Sequence, residues 1–127
     1  MAVPKYDEFM LPILEILAGG SQHSRKELAV LAADRLNISE EERVELLPSG
    51  RVLLYQNRSA WAVTYLFKAG LLDRVRAGQY RISARGVAVL EKKPSKIDIS
   101  FLKQFPEFLH FYLGVEEDEA ENYFPQT

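Results

Sequence analysis

The sequence contains no cysteine. Disulfides, thiolate nucleophiles and cysteine-ligated zinc sites are therefore excluded together. Histidine is scarce as well: His23 and His110 lie far apart in the chain, poor material for a metal cluster, and no cofactor is expected. No apolar run approaches the roughly 20 residues that cross a bilayer. Asp7, Glu8 and Glu15 interrupt the apolar positions at the start, which excludes a signal peptide. These absences lead us to expect a cytoplasmic protein without a membrane partner.

A large excess of one charge is also missing, since the formal net charge is −2 over 127 residues. The near-balance hides a strong local pattern. From Met1 to Gly50, nine Asp/Glu oppose five Lys/Arg; from Arg51 to Lys93, nine Lys/Arg oppose two Asp/Glu; from Ile97 to Thr127, seven acidic residues oppose one basic. Local patches decide whether a polyanion can dock, whatever the overall balance. The length and the 47% apolar content suit one compact domain with an added helical element.

Tyr6, Met10, Ile13 and Leu17 recur at helical steps, with Pro12 inside the pattern marking a kink or a restart. Ser24-Arg25-Lys26-Glu27 is a capping box, opening a helix that buries Leu28, Leu31, Ala32 and Leu36. Ser39-Glu40-Glu41-Glu42 repeats the device for a short helix with Val44 and Leu47 inward. Arg51 to Tyr55 reads as a brief strand, and a helix follows from about Gln56 to Ala69. Leu71 to Val75 and Gln79 to Ile82 form a hairpin around Arg76-Ala77-Gly78. Ser83 then caps a helix burying Val87 and Leu90. Phe101, Phe105, Phe108 and Tyr112 make a last helical stripe, interrupted by Pro106.

The resulting fold class is mainly α with a small β-hairpin: a winged helix-turn-helix with extra N-terminal and C-terminal helical elements. The expected division is a winged-helix DNA-binding domain over 3–93, a C-terminal helical extension over 94–113, and an acidic flexible tail or linker over 114–127. In such folds a helix enters the major groove and the hairpin grips the backbone. Gln56, Asn57, Arg58 and Ser59 cluster at the start of that helix, and their side chains suit base reading. Thr64 and Lys68 follow on its outer side; Arg74, Arg76 and Arg81 on the hairpin are natural phosphate contacts. A solvated basic face is the ordinary reading of a charge run. Against it, the basic segment coincides with the elements that this fold presents to double-stranded DNA.

Several strings also resemble the N-terminal domain of Mrr-type restriction endonucleases. They are Val3-Pro4-Lys5-Tyr6-Asp7-Glu8 with Leu11-Pro12, Glu45-Leu46-Leu47-Pro48-Ser49-Gly50, and Asn57-Arg58 with Trp61. Thr64-Tyr65-Leu66, Lys68-Ala69-Gly70-Leu71-Leu72, Ile82-Ser83 with Arg85-Gly86, and Ile97-Asp98 through Phe105-Pro106-Glu107-Phe108 continue the series in unbroken order. The resemblance implies a domain that targets foreign modified DNA, while a separate C-terminal nuclease domain of the PD-(D/E)xK type does the cutting. It also makes Val63 a departure, since many relatives are expected to carry a basic residue there, with loss of one contact.

Glu91-Lys92-Lys93 fits half of a metal-nuclease motif, with Asp73 upstream. It falls at a helix end without a sheet to hold a metal, so no catalysis is expected from this chain. Two other functions compete with DNA targeting for an endonuclease. One is a stand-alone regulator, dimeric through Phe101, Phe105, Phe108 and Tyr112; the other is a protein-interaction module. Aromatics at helical spacing are more often core than interface, which weighs against the dimer.

Overall fold

The computed structural model describes residues 2–117, with side chains described as far as Gly114. A 3-10 turn at Tyr6–Phe9 runs straight into α1 (Met10–Ile16). Pro12 is the third residue of α1, where the amide it lacks has no helical carbonyl to meet. The change of helix type ahead of the proline is the restart expected there. β1 (His23–Ser24) leads into α2 (Arg25–Arg35), and α3 (Glu40–Arg43) precedes α4 (Leu54–Lys68). β2 (Leu72–Arg76) and β3 (Gln79–Ile82) form the hairpin, followed by α5 (Ala84–Glu91), α6 (Ile99–Leu102) and α7 (Pro106–Glu117).

The chain is thus mainly α with a small sheet, arranged as a winged-helix-like fold. Helices α1, α2 and α4 pack around Ile13, Leu14, Leu28, Ala32, Ala62 and Leu66, all fully buried. The antiparallel sheet has the order β1-β3-β2, with His23 opposite Tyr80 and Leu72 opposite Ile82. β3 alone is paired on both edges. Helix α5 rests on the base of the hairpin at Gly86, where a β-carbon would overlap the Leu71 carbonyl. Phe108 of α7 is fully buried with its ring 5.7 Å from that of Tyr65 on α4. Arg85 ties this C-terminal part down by bonds to the Ala69 carbonyl (2.8 Å) and Glu107 (2.9 Å), its guanidinium over Phe105.

Both expected capping boxes form. The Ser24 hydroxyl accepts from the Glu27 amide (3.1 Å) while the Glu27 carboxylate accepts from the Ser24 amide (2.9 Å), and Ser39 and Glu42 do the same. Other expectations need correction. Arg51 to Tyr55 is not a strand: only the Leu46–Leu53 bridge is β-like, and α4 starts at Leu54 because Tyr55 already belongs to the core. Val44 is 69% exposed. Helix α3 ends at Arg43, whose guanidinium bonds the Ile38 carbonyl and Asp34, so the chain turns away before Val44 can point inward. Val87 is also exposed, because contact through Gly86 rolls α5 until Gly86 and Val89 face the core. Leu31 and Leu36 are half-buried, and Ala29 and Ala33 take the interior positions on α2.

The stripe Phe101, Phe105, Phe108 and Tyr112 is used inside the chain. Phe101 and Phe105 pair with each other, Tyr112 stacks on Phe108, and Pro106 begins α7 where a proline is tolerated. Helix α7 continues to Glu117, into the segment expected to be a tail; residues 118–127 lie outside the described residues.

The capping carboxylates give the fold a defined acid response. Glu27 and Glu42 are held below their ordinary value of 4.5, chiefly by the serine amides they accept from. A depressed folded value means that their stabilisation is present above pH 4.5 and is lost as pH falls through the lower folded value. Urea midpoints are expected to drop on acidification below pH 4.5, and the Glu27→Gln/Glu42→Gln variant should drop less steeply there. Equal slopes would remove the caps from the account.

Candidate nucleic-acid interface

Helix α4 is the most enclosed element of the chain: none of its side chains is exposed. Its helical period sorts them into rows. Tyr55, Ser59, Ala62 and Leu66, at steps of four, three and four, are committed to the core. The remaining rows run through Gln56, Ala60 and Phe67 on one side and Asn57, Trp61, Thr64 and Lys68 on the other, with Ala60 and Thr64 themselves buried. Four consecutive residues, 56 to 59, cannot all face one groove, and the structure separates them.

Gln56 and Asn57 are half-open and face different clefts. Gln56 lines a pocket of about 300 Å³ with Arg25, Lys26, Ala29 and Ala60. Asn57 lines a wider cleft of about 450 Å³, walled by Tyr6, Trp61 and Tyr65. Arg58 is turned back to the N-terminal segment, where it donates to the Val3 carbonyl and, at 3.1 Å, to that of Pro4. Ser59 is fully buried, and its hydroxyl has no hydrogen-bond partner among the described residues. Thr64 is only 7% exposed. Val63 is completely buried, so no surface contact is lost there, contrary to the expectation drawn from the resemblance.

Lys68, near the end of α4, begins a seam that joins the helix to the hairpin. Its ammonium lies 5.8 Å from the Phe67 ring and 5.2 Å from that of Phe111. Arg74 covers Phe67 at 5.3 Å, and Phe67 meets Tyr80 edge-on at 5.9 Å. Arg25 caps the series over Tyr80 at 5.2 Å, while its guanidinium donates to the Ala60 carbonyl (2.7 Å) and the Tyr80 hydroxyl (3.1 Å). Three cations from α2, α4 and β2 are thus fixed on two linked aromatic rings.

The hairpin arginines do not act as one group. Arg74 lies opposite Tyr80 and shares its face, towards α4. Arg81 lies opposite Asp73 on the other face, and Arg76 stands beyond the irregularity at Val75, opposite Gln79 next to the turn. All three are exposed. Arg25 and Lys26 are the additions that sequence reasoning missed. They lie in the acidic half of the chain, and the capping box accounted for their position without a further role. The signal available was their place in the first turn of the helix preceding α4.

The C-terminal end of α5 carries Glu91, and Asp73 is on β2; no group of three or more His, Cys, Asp or Glu able to hold a metal occurs among the described residues. No helix among them is long and apolar enough to cross a membrane.

A three-helix core with a basic hairpin beside its third main helix defines a winged-helix-like domain. Residues 6–92 match the family model of the Mrr N-terminal domain, and the chain belongs to this family. One relative is the type IV methyl-directed restriction enzyme EcoKMrr of Escherichia coli (strain K12), 33% identical over 87 residues. The match covers 68% of this chain and 28% of that enzyme, so this chain corresponds to less than a third of its relative. No solved structure matches.

Two neighbouring residues of α4 make opposite predictions. Arg58→Ala breaks a charged clamp on two carbonyls and should cost about 1.5–3 kcal/mol in urea denaturation. Ser59→Ala removes a hydroxyl that nothing bonds and should be neutral or stabilising by up to about 1 kcal/mol. An unchanged midpoint for the first, or a large loss for the second, would contradict the assignment.

Proposed function

We propose that this chain is the DNA-targeting domain of a restriction endonuclease that acts on foreign modified DNA. Cleavage belongs to a separate C-terminal nuclease domain, and this segment does no chemistry. The observation that carries the proposal is the fixed cationic seam from α2 across the end of α4 to β2, adjoining the exposed hairpin. Membership of the Mrr N-terminal family and the methyl-directed name of the relative support the restriction role and the modified substrate.

Gln56 and Asn57 are the base-facing pair in this reading, because amide side chains match the major-groove edge of adenine. Lys68, Arg74 and Arg76 neutralise phosphates, joined by Lys26; Arg81 reaches the backbone from the other face of the hairpin. Arg58, Ser59 and Thr64 serve by holding α4 in place. Arg85, spent on Glu107, contributes to the fold and adds little to the field.

A fluorescence titration of this chain with duplex DNA at several salt concentrations tests the proposal. With about five phosphates neutralised, the log–log slope should lie near −4 to −5, and Arg74→Ala/Arg76→Ala should reduce it by about 2 while weakening all sequences alike. Matched methylated and unmethylated duplexes then report whether the modification is read here. Absence of binding at ~50 mM salt, or binding indifferent to salt, would instead favour a protein-interaction module.

A further inference from the structure

The pocket beside Gln56 has a composition that the general DNA-binding reading does not use. It opens between the first turns of α2 and α4. Ala29 and Ala60 line it but are only 1% and 7% exposed, so its largely apolar surface comes mostly from the carbon stems of Arg25, Lys26 and Gln56. Arg25 forms one wall, already held by the Ala60 carbonyl and the Tyr80 hydroxyl. Lys26 is exposed at the rim. Gln56 stands at the mouth, and its amide makes no hydrogen bond with the described residues.

These features distinguish among the parts of a duplex. A phosphate needs converging donors, and two of the five N–H donors of Arg25 are already turned to the Ala60 carbonyl and the Tyr80 hydroxyl, which leaves this pocket poorer in free donors than the seam beside it. A methyl group needs a carbon-lined recess, which the stems of Arg25 and Lys26 with the edge of Ala60 supply, and apolar contact is an established way to read the thymine methyl group. An unengaged glutamine amide beside that recess matches the N6 and N7 edge of adenine. In an A·T pair the major groove presents, in order, adenine N7 and N6, thymine O4 and the thymine C5-methyl group, so a side chain that reaches across the pair can bond the adenine while the methyl group is held at the other end. At about 300 Å³ the pocket admits the edge of a pyrimidine as well as its methyl group.

We infer that this pocket holds the C5-methyl group of a thymine while Gln56 bonds the adenine paired with it. The inference rests on the DNA-binding reading above and makes one A·T pair a fixed element of the recognised site. Lys26, exposed at the same pocket, is then assigned to the adjacent phosphate, anchoring the base pair without reading it.

The test uses this 127-residue chain and a duplex selected by it from a random pool. Each thymine of the selected duplex is then replaced in turn by uracil, which removes only the methyl group. One position should lose about fourfold in affinity, the worth of one buried methyl group. Gln56→Ala should remove the preference for A·T at that position and keep the salt dependence. Equal binding of thymine and uracil at every position overturns the assignment and leaves DNA binding intact. A gain from 5-methylcytosine without any loss from uracil also overturns it, in favour of a methylcytosine pocket. Failure to bind any duplex overturns both this inference and the reading on which it rests.

Discussion

Tyr55, Ser59, Ala62 and Leu66 commit one row of α4 to the core, and Tyr65 commits the neighbouring row to the aromatic rings of α7. Arg58 adds a third restraint by holding the N-terminal carbonyls. The helix cannot roll without breaking one of these contacts, and this constraint decides what it can offer to a partner. Only the rows of Gln56 and of Asn57 remain available, each opening onto its own cleft. In the proposed reading a partner of α4 is met by two amides and a lysine on a fixed scaffold, with little rearrangement on binding.

The hairpin is positioned by a different kind of contact. A two-stranded ribbon is marginal alone in water. Here β1 adds a third strand, and Phe67 and Tyr80 link the sheet to α4 beneath Arg25, Lys68 and Arg74. Cations resting on aromatic faces keep their outer side hydrated, so the seam can be both a structural joint and a polyanion contact. Arg81, opposite Asp73, lies outside this joint. A sum of charges along the chain cannot reveal that difference.

Much of the fold was legible because its signals are local. The capping serines, the hairpin around Gly78 and the apolar rows of α1 each depend on residues close in sequence, and the family strings recur in order. The failures share a cause: each depends on a partner outside the element's own helical or strand repeat. β1 has two residues and exists through its pairing with β3. Val44 is exposed because Arg43 finds Asp34 and Ile38, and α5 is rolled by the approach of Gly86 to Leu71. At the site, residue type marked α4 and the hairpin as the elements that carry the candidate residues. Type alone could not separate Arg58 and Arg85, which serve internal bonds, from Lys68 and Arg74, or bring Arg25 from α2 to the hairpin.

The segment between α2 and α4 carries α3 and a loop closed by the Leu46–Leu53 bridge, where a short turn would ordinarily suffice. The crossing of α2 and α4 is set by alanine packing and by Arg25, so the length of this connector does not dictate it. Doubling the length of a flexible loop costs only about 0.6 kcal/mol in closure entropy. The tip at Pro48 to Arg51 is thus a place where the chain can accept inserted residues while the pocket and the seam keep their dimensions. Added length there would change the connector and leave the helix it leads to held by its own contacts.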